Sequence, residues 1–267
     1  MTVSKHFVAC LLLSGGAFLH ASVSAQEPEK KPVIEKIAGD DYKLGVIQFN
    51  SKSREIRLPG EVNQDSVILE FAVVNAQNGK LHESLLSTAA RPFDLQVVMK
   101  LLKYVPSERD LYQRYGEDGK PAGPLKVDDK GWVTITVDYE EPVIGWEAML
   151  EKKAAAEKTA AETGKEPVAE KFEMRKKSVD IGQMIVNAET KEPLGADAWV
   201  YTGSIVINGD FMAELEGAIA AVYRAEDTML NAFAEGSDND EVWFPRKGHV
   251  PPIGTPVTIK ISPREKK

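Results

Sequence analysis

The stretch SVILEFAVVNAQNGKLHESLLST, residues 66–88, sets two runs of strand-forming residues around an Asn-Gly pair and ends in a histidine, an acid and hydroxyl side chains. Val67, Ile68, Phe71, Val73 and Val74 are β-branched or aromatic, as a half-buried or buried strand requires. Asn78 and Gly79 both tolerate positive φ, so the pair predicts a two-residue hairpin, with Leu81 to Leu86 as the returning strand.

Strand character continues on both sides. LGVIQFN (44–50) and SREIRLPGEV (53–62) precede the stretch, and RPFDLQVVMKLLKYVP (91–106) follows it. In the last of these Phe93, Val97, Leu101 and Val105 recur every fourth residue, with Val98 and Leu102 beside them. Pro92 suits a first helical turn and Pro106 a stop, so the spacing predicts a helix over 92–105 packed by that stripe. Residues 107–131 read as a polar excursion built of turns, WVTITVDYE (132–140) as an alternating strand and PVIGWEAM (142–149) as another.

Composition then shifts. Residues 151–177 are almost wholly Ala, Glu, Lys and Thr, which marks a solvated helical excursion or a disordered insert rather than a core element. ADAWVYTGSIVIN (196–208) resumes strand character, 211–224 fits either a helix or two strands around Glu216-Gly217, and Val257, Ile259 and Ile261 alternate with polar residues near the C-terminus. The expected architecture is α+β, mainly antiparallel β with one packed helix near 92–105, and a β-sandwich with attached helices is the alternative.

The first 25 residues carry Lys5, an apolar run from Phe7 to Leu19, and Val23 and Ala25 before Gln26. That is the pattern of a secretory signal peptide, since the run is too short to span a bilayer. Cys10 lies inside the run rather than after it, which argues against a lipid anchor. Residues 26–41 read as a flexible leader and 42–267 as a single domain. The expected location is periplasmic or secreted.

Cys10 is the only cysteine, so the processed chain has none and depends on an ordinary core rather than disulfides. The net charge of −8 and the lack of a dense basic patch speak against nucleic acid, and no membrane span is expected. The partner class left is an envelope protein or a small ligand.

These pieces together resemble the YdjY-domain family of exported bacterial proteins, of the kind found in planctomycetes. The matching stretches are IRLPGEVN (56–63), LEFAVV (69–74) with GKLHESLLST (79–88), RPFDLQVVMKLL (91–102), WVYTGS (199–204) and VPPIGTPVTIKISP (250–263). The histidine-bearing stretch followed by the proline-led helix is the most specific of them. The resemblance implies export and no particular activity. Some members carry a ferredoxin-like label or accompany iron–sulfur modules, and here the chain departs from the family: without cysteine after residue 10 it holds no Cys-ligated cluster.

The chemistry centres on His82. A metalloprotease H-E-x-x-H pattern needs histidine at 86, where Leu86 stands. On a strand His82 and Glu83 point to opposite faces, whereas His82, Ser84 and Thr88 share one. The candidate ligand-binding residues are therefore His82, Glu83, Ser84 and Thr88, joined by Tyr201, which with Trp243 and Phe244 can form an aromatic platform. His82 is also the candidate ligand for a divalent metal, with His249 as a second ligand if the fold brings the two together. The plain alternative is a structural histidine in a hairpin.

Asp238, Asp240 and Glu241 lack the spacing of an EF-hand loop, and no phosphate loop, nucleophile elbow or dinucleotide fingerprint is present. Three functions compete: a non-enzymatic binding or interaction module, a metal-binding or redox accessory of the envelope using His82, and a hydrolase using His82 with Ser84 or Glu83.

Overall fold

The chain opens with a run of short strands, β1 (Ile34–Ala38), β2 (Asp41–Leu44), β3 (Ile47–Asn50) and β4 (Ile56–Val62). The computed structural model describes residues 33–107, 130–166 and 170–264. The expected signal peptide, residues 26–32 of the expected leader and most of the turn-rich excursion lie outside the described residues. Regular structure begins at Ile34, inside the stretch read as leader.

After β4 come β5 (Phe71–Asn75), β6 (Ser84–Thr88), helix α1 (Pro92–Leu101), β7 (Trp132–Pro142) and helix α2 (Trp146–Thr163). Then follow β8 (Met174–Asp180), β9 (Ile185–Asn187), β10 (Trp199–Tyr201), β11 (Val206–Ile207), β12 (Asp210–Phe211), helix α3 (Met212–Glu216), β13 (Ala218–Ala221), β14 (Leu230–Ala232), β15 (Trp243–Pro245) and β16 (Pro256–Pro263).

Eight of these strands close into a barrel. The hydrogen-bonded order runs β4-β16-β7-β10-β14-β13-β5-β6 and returns from β6 to β4. This corrects both expected architectures: the fold is neither α+β nor an open sandwich but a mostly-β closed barrel. Closure depends on β10, β13 and β14, of three or four residues each, too short to show a period in the sequence. It also depends on β4 and β7 each changing partner along one edge. β4 meets β3 at Ile56 and Arg57, then β6 at Gly60 to Val62, while its other edge follows β16 throughout. β7 meets β10 at Trp132 and Val133, then β8 from Thr136 to Pro142. The strands β1 to β3 and β8 thus extend outward from the ring, and the ring itself keeps no free edge.

Period-two patterning fills the interior. Ile56, Leu58 and Val62 of β4, Val133, Ile135, Val137 and Tyr139 of β7, and Val257, Ile259 and Ile261 of β16 are buried, with their neighbours more exposed. β5, β6, β10, β13 and β14 are buried at every position, so other elements cover their outer face.

The Asn78-Gly79 hairpin is also corrected: β6 runs parallel to β5, with Phe71 beside Ser84 and Asn75 beside Thr88. Asn75, not Gly79, makes the turn. Its Oδ1 accepts the Gln77 and Asn78 N–H groups, its carbonyl accepts from Gly79, and Leu81–Glu83 then form one 3₁₀ turn. Gly79 serves close approach, because a Cβ there would meet the Asn75 carbonyl oxygen at 2.6 Å. An Asn-Gly pair does make a two-residue hairpin turn at Asn208-Gly209, both at positive φ, joining β11 to β12.

Helix α1 exists where expected but is rotated. Leu95, Val98, Met99 and Leu102 face the core, whereas Phe93 and Leu101 of the expected stripe are each 50% exposed and Val105 lies exposed beyond the helix. Glu214 of α3 caps it, accepting the Phe93 N–H at 2.9 Å and the Arg91 Nε–H at 2.7 Å. Residues 142–149 are not a strand: β7 ends at Pro142 and α2 begins at Trp146. The ambiguous 211–224 segment resolves as a short helix ended by Gly217, then β13.

Candidate ligand-binding groove

The residues expected around His82 are drawn into the fold rather than into one site. The Ser84 hydroxyl is buried and donates to the Lys80 carbonyl at 2.5 Å. The Thr88 hydroxyl is buried and donates to the Pro59 carbonyl at 2.5 Å, across the seam that closes the barrel. His82 is 76% exposed, with Nε2 at 3.5 Å from Glu83, and Glu83 joins Lys80 and Glu70 in a surface charge cluster. The strand geometry expected for 81–86 does not hold over His82, which sits in the 3₁₀ turn. His82 and Ser84 are therefore not a base and hydroxyl pair.

Tyr201 lies inside the core, its hydroxyl donating to Gln96 Oε1 at 2.5 Å and its ring edge-on to Tyr104. Burial pushes the Tyr201 phenol up to about 12, the Gln96 bond opposing it. Trp243 is equally buried, so the expected aromatic platform does not form. His249 occupies an exposed turn with Nδ1 at 3.3 Å from the Lys247 carbonyl. Among the described residues no group of three or more His, Cys, Asp or Glu side chains is placed to hold a metal ion, and this includes the Asp238, Asp240 and Glu241 turn.

A concave site lies elsewhere, on the outer face of β16, β7 and β8. These strands run side by side, and the buried residues of β7 and β16 go to the barrel core, so Thr258 and Asp138, with their register neighbour Ser178 of β8, face outward. One step further along, Glu140 and Lys176 are paired in register. Helix α2 leaves the end of β7 and forms one wall, and residues 252–256 form the other. The open groove measures about 870 Å³, within the range of small-molecule sites.

The helical wall comes from Trp146, Met149, Leu150 and Lys153, spaced i, i+3, i+4 and i+7 on one face of α2. Ile253 and Met174 add apolar surface. The charges beneath are partly committed. Asp138 binds Lys260 at 2.9 Å, and Lys177 binds the buried Glu141 at 2.9 Å beside Arg175 at 2.5 Å. Burial raises the Glu141 carboxyl, but the hydrogen bonds from Lys177 and Arg175 outweigh it and hold the group below the ordinary carboxylate range. Two polar atoms in the lining are buried without a hydrogen-bond partner, Trp146 Nε1 and Asp138 Oδ1.

No family model, curated protein or solved structure matches the chain.

The groove escaped the sequence reading because its residues come from four separate segments, and only tertiary structure brings these together. One local signal was present. The spacing of Trp146, Met149, Leu150 and Lys153 is helical, although 142–149 taken alone suggests a strand.

Proposed function

We propose that the protein is a non-enzymatic binding module, exported by its N-terminal segment and allied to the YdjY-domain proteins, whose ligand occupies the groove between α2 and the outer face of β7. The observation that carries this reading is the groove itself, an apolar wall set over a polar strand floor, with a buried indole N–H left unpaired. Among the described residues no helix is long and apolar enough to cross a membrane.

The Ser84 hydroxyl, bonded to the Lys80 carbonyl, gives no support to the His82–Ser84 form of the hydrolase alternative, and among the described residues no group of companion ligands surrounds His82 for the metal alternative. The test is a methyl-detected NMR screen of the full chain against a library of small apolar and amphiphilic compounds. Perturbations clustering at Met149, Leu150, Met174 and Ile253 are expected. Perturbations confined to other surfaces, or none, would overturn the assignment of the groove.

A further inference from the structure

Resting on that reading of the groove, we infer that its ligand is an amphiphilic anion, an aliphatic chain ending in a carboxylate. The wall supplies apolar surface from Trp146, Met149, Leu150 and Ile253, of which the flexible or aliphatic side chains of the last three suit a hydrocarbon chain. Burial of such a chain is driven in proportion to the apolar area removed from water.

The donors select the head group. Lys153 on α2 and Lys176 on β8 both line the groove, and neither has an ion-pair partner among the described residues. Lys177 is consumed by Glu141 and Asp138 is matched by Lys260. Glu140, in register with Lys176, is the remaining carboxylate, so two free cations face one free anion in a chain whose net charge is −8. The two lysine ammonium groups are the donors that await an acceptor-rich group. A carboxylate accepts from both through charge-assisted hydrogen bonds, which a neutral hydroxyl head does not match.

The experiment titrates the full chain by calorimetry with dodecanoate, with a neutral twelve-carbon maltoside and with dodecyltrimethylammonium, each below its micelle concentration. Dodecanoate is expected to bind at least about 10-fold more tightly than the other two. The double substitution Lys153→Gln with Lys176→Gln is expected to remove that advantage and leave the maltoside affinity unchanged. Both lysines are exposed, so the variant retains the fold. Binding should change Trp146 emission, a signal lost in Trp146→Phe.

Equal affinities for the three amphiphiles, with the Trp146 signal retained, would overturn the anionic ligand and leave the groove reading standing. Failure of all three to bind overturns the amphiphile, and the groove is then judged by the NMR screen alone. Dodecanoate affinity unchanged in the double lysine variant also overturns the proposal.

Discussion

Gly60 on β4 lies against the backbone of Ser87 on β6, so close that a Cβ at position 60 would come within 2.6 Å of the Ser87 carbonyl oxygen. The pair sits where the eighth strand meets the first, at the seam that closes the barrel. Backbone cannot yield there as a flexible side chain does. Gly60→Ala is therefore expected to destabilise the protein by about 2 kcal/mol, the cost of overpacking a tight contact. Thermal unfolding should show a loss of about 4–8 °C for a domain of this size. An unchanged melting temperature would show that the seam can open at no cost.

Thr88 and His82 give a matched contrast within the motif that drew attention in the sequence. Thr88→Val leaves the Pro59 carbonyl unpaired in the seam and should cost about 1–3 kcal/mol. His82→Ala removes a mostly exposed side chain and should change stability by less than about 0.5 kcal/mol. Urea titration of the two variants checks both. A larger loss from His82→Ala would point to a role that its exposure does not explain.

Glu214 holds the start of α1 from a different element. Its carboxylate accepts the Phe93 N–H and pairs with Arg91. Glu214→Ala is expected to cost about 1–2 kcal/mol, as the loss of a helix cap does. Glu214→Gln, which keeps an acceptor oxygen, should recover part of that loss in the same denaturation series.

Asp180 predicts a pH dependence. Burial pushes its carboxyl up to about 6 from 3.8, the Gly182 N–H opposing and Asp197 adding to the shift. The native state then holds the proton more tightly than the unfolded chain, so stability falls as pH rises from about 4 to about 6 and the deficit is complete above that window. Asp180 is only partly buried, and solvent screening limits the effect to about 1 kcal/mol. Asp180→Asn removes the charge and keeps an oxygen for Gly182. Its unfolding free energy relative to wild type should be higher at pH 7.5 than at pH 4.5, and an equal difference at both would refute the assignment.

The proposed export gives a prediction at the level of processing. N-terminal sequencing of protein recovered from outside the cytoplasm should begin at Gln26. Recovery of the chain with Met1 intact would overturn the signal-peptide reading.

Strand content was legible where strands are long and one-sided. Ile56, Leu58 and Val62 of β4, and Val257, Ile259 and Ile261 of β16, announce their inward face by alternation. The turn chemistry misled at Asn78-Gly79, because the same dipeptide serves a positive-φ hairpin at 208–209 and a close backbone approach at 78–79. Local propensity cannot tell these apart, since the difference lies in what packs against Gly79. The helix over 92–101 was legible as a helix, but its buried face was not. A stripe containing Phe93 and Leu101 competes with one containing Leu95 and Met99, and only docking against the barrel and α3 chooses between them.

By itself, the sequence determined the strand-rich character of the chain, the existence of α1 and the lack of cysteine chemistry beyond residue 10. These follow from side-chain chemistry and short-range periodicity, which any stretch carries with it. Tertiary structure alone decided that β6 runs parallel to β5, that β4 and β6 close a ring, and that α2 and residues 252–256 wall a groove over β7. Each of these is a meeting of segments distant in sequence or reversed by a turn. Their pairing is settled by which apolar faces can be buried together with every backbone group matched, a condition on the whole fold that no single stretch of residues contains.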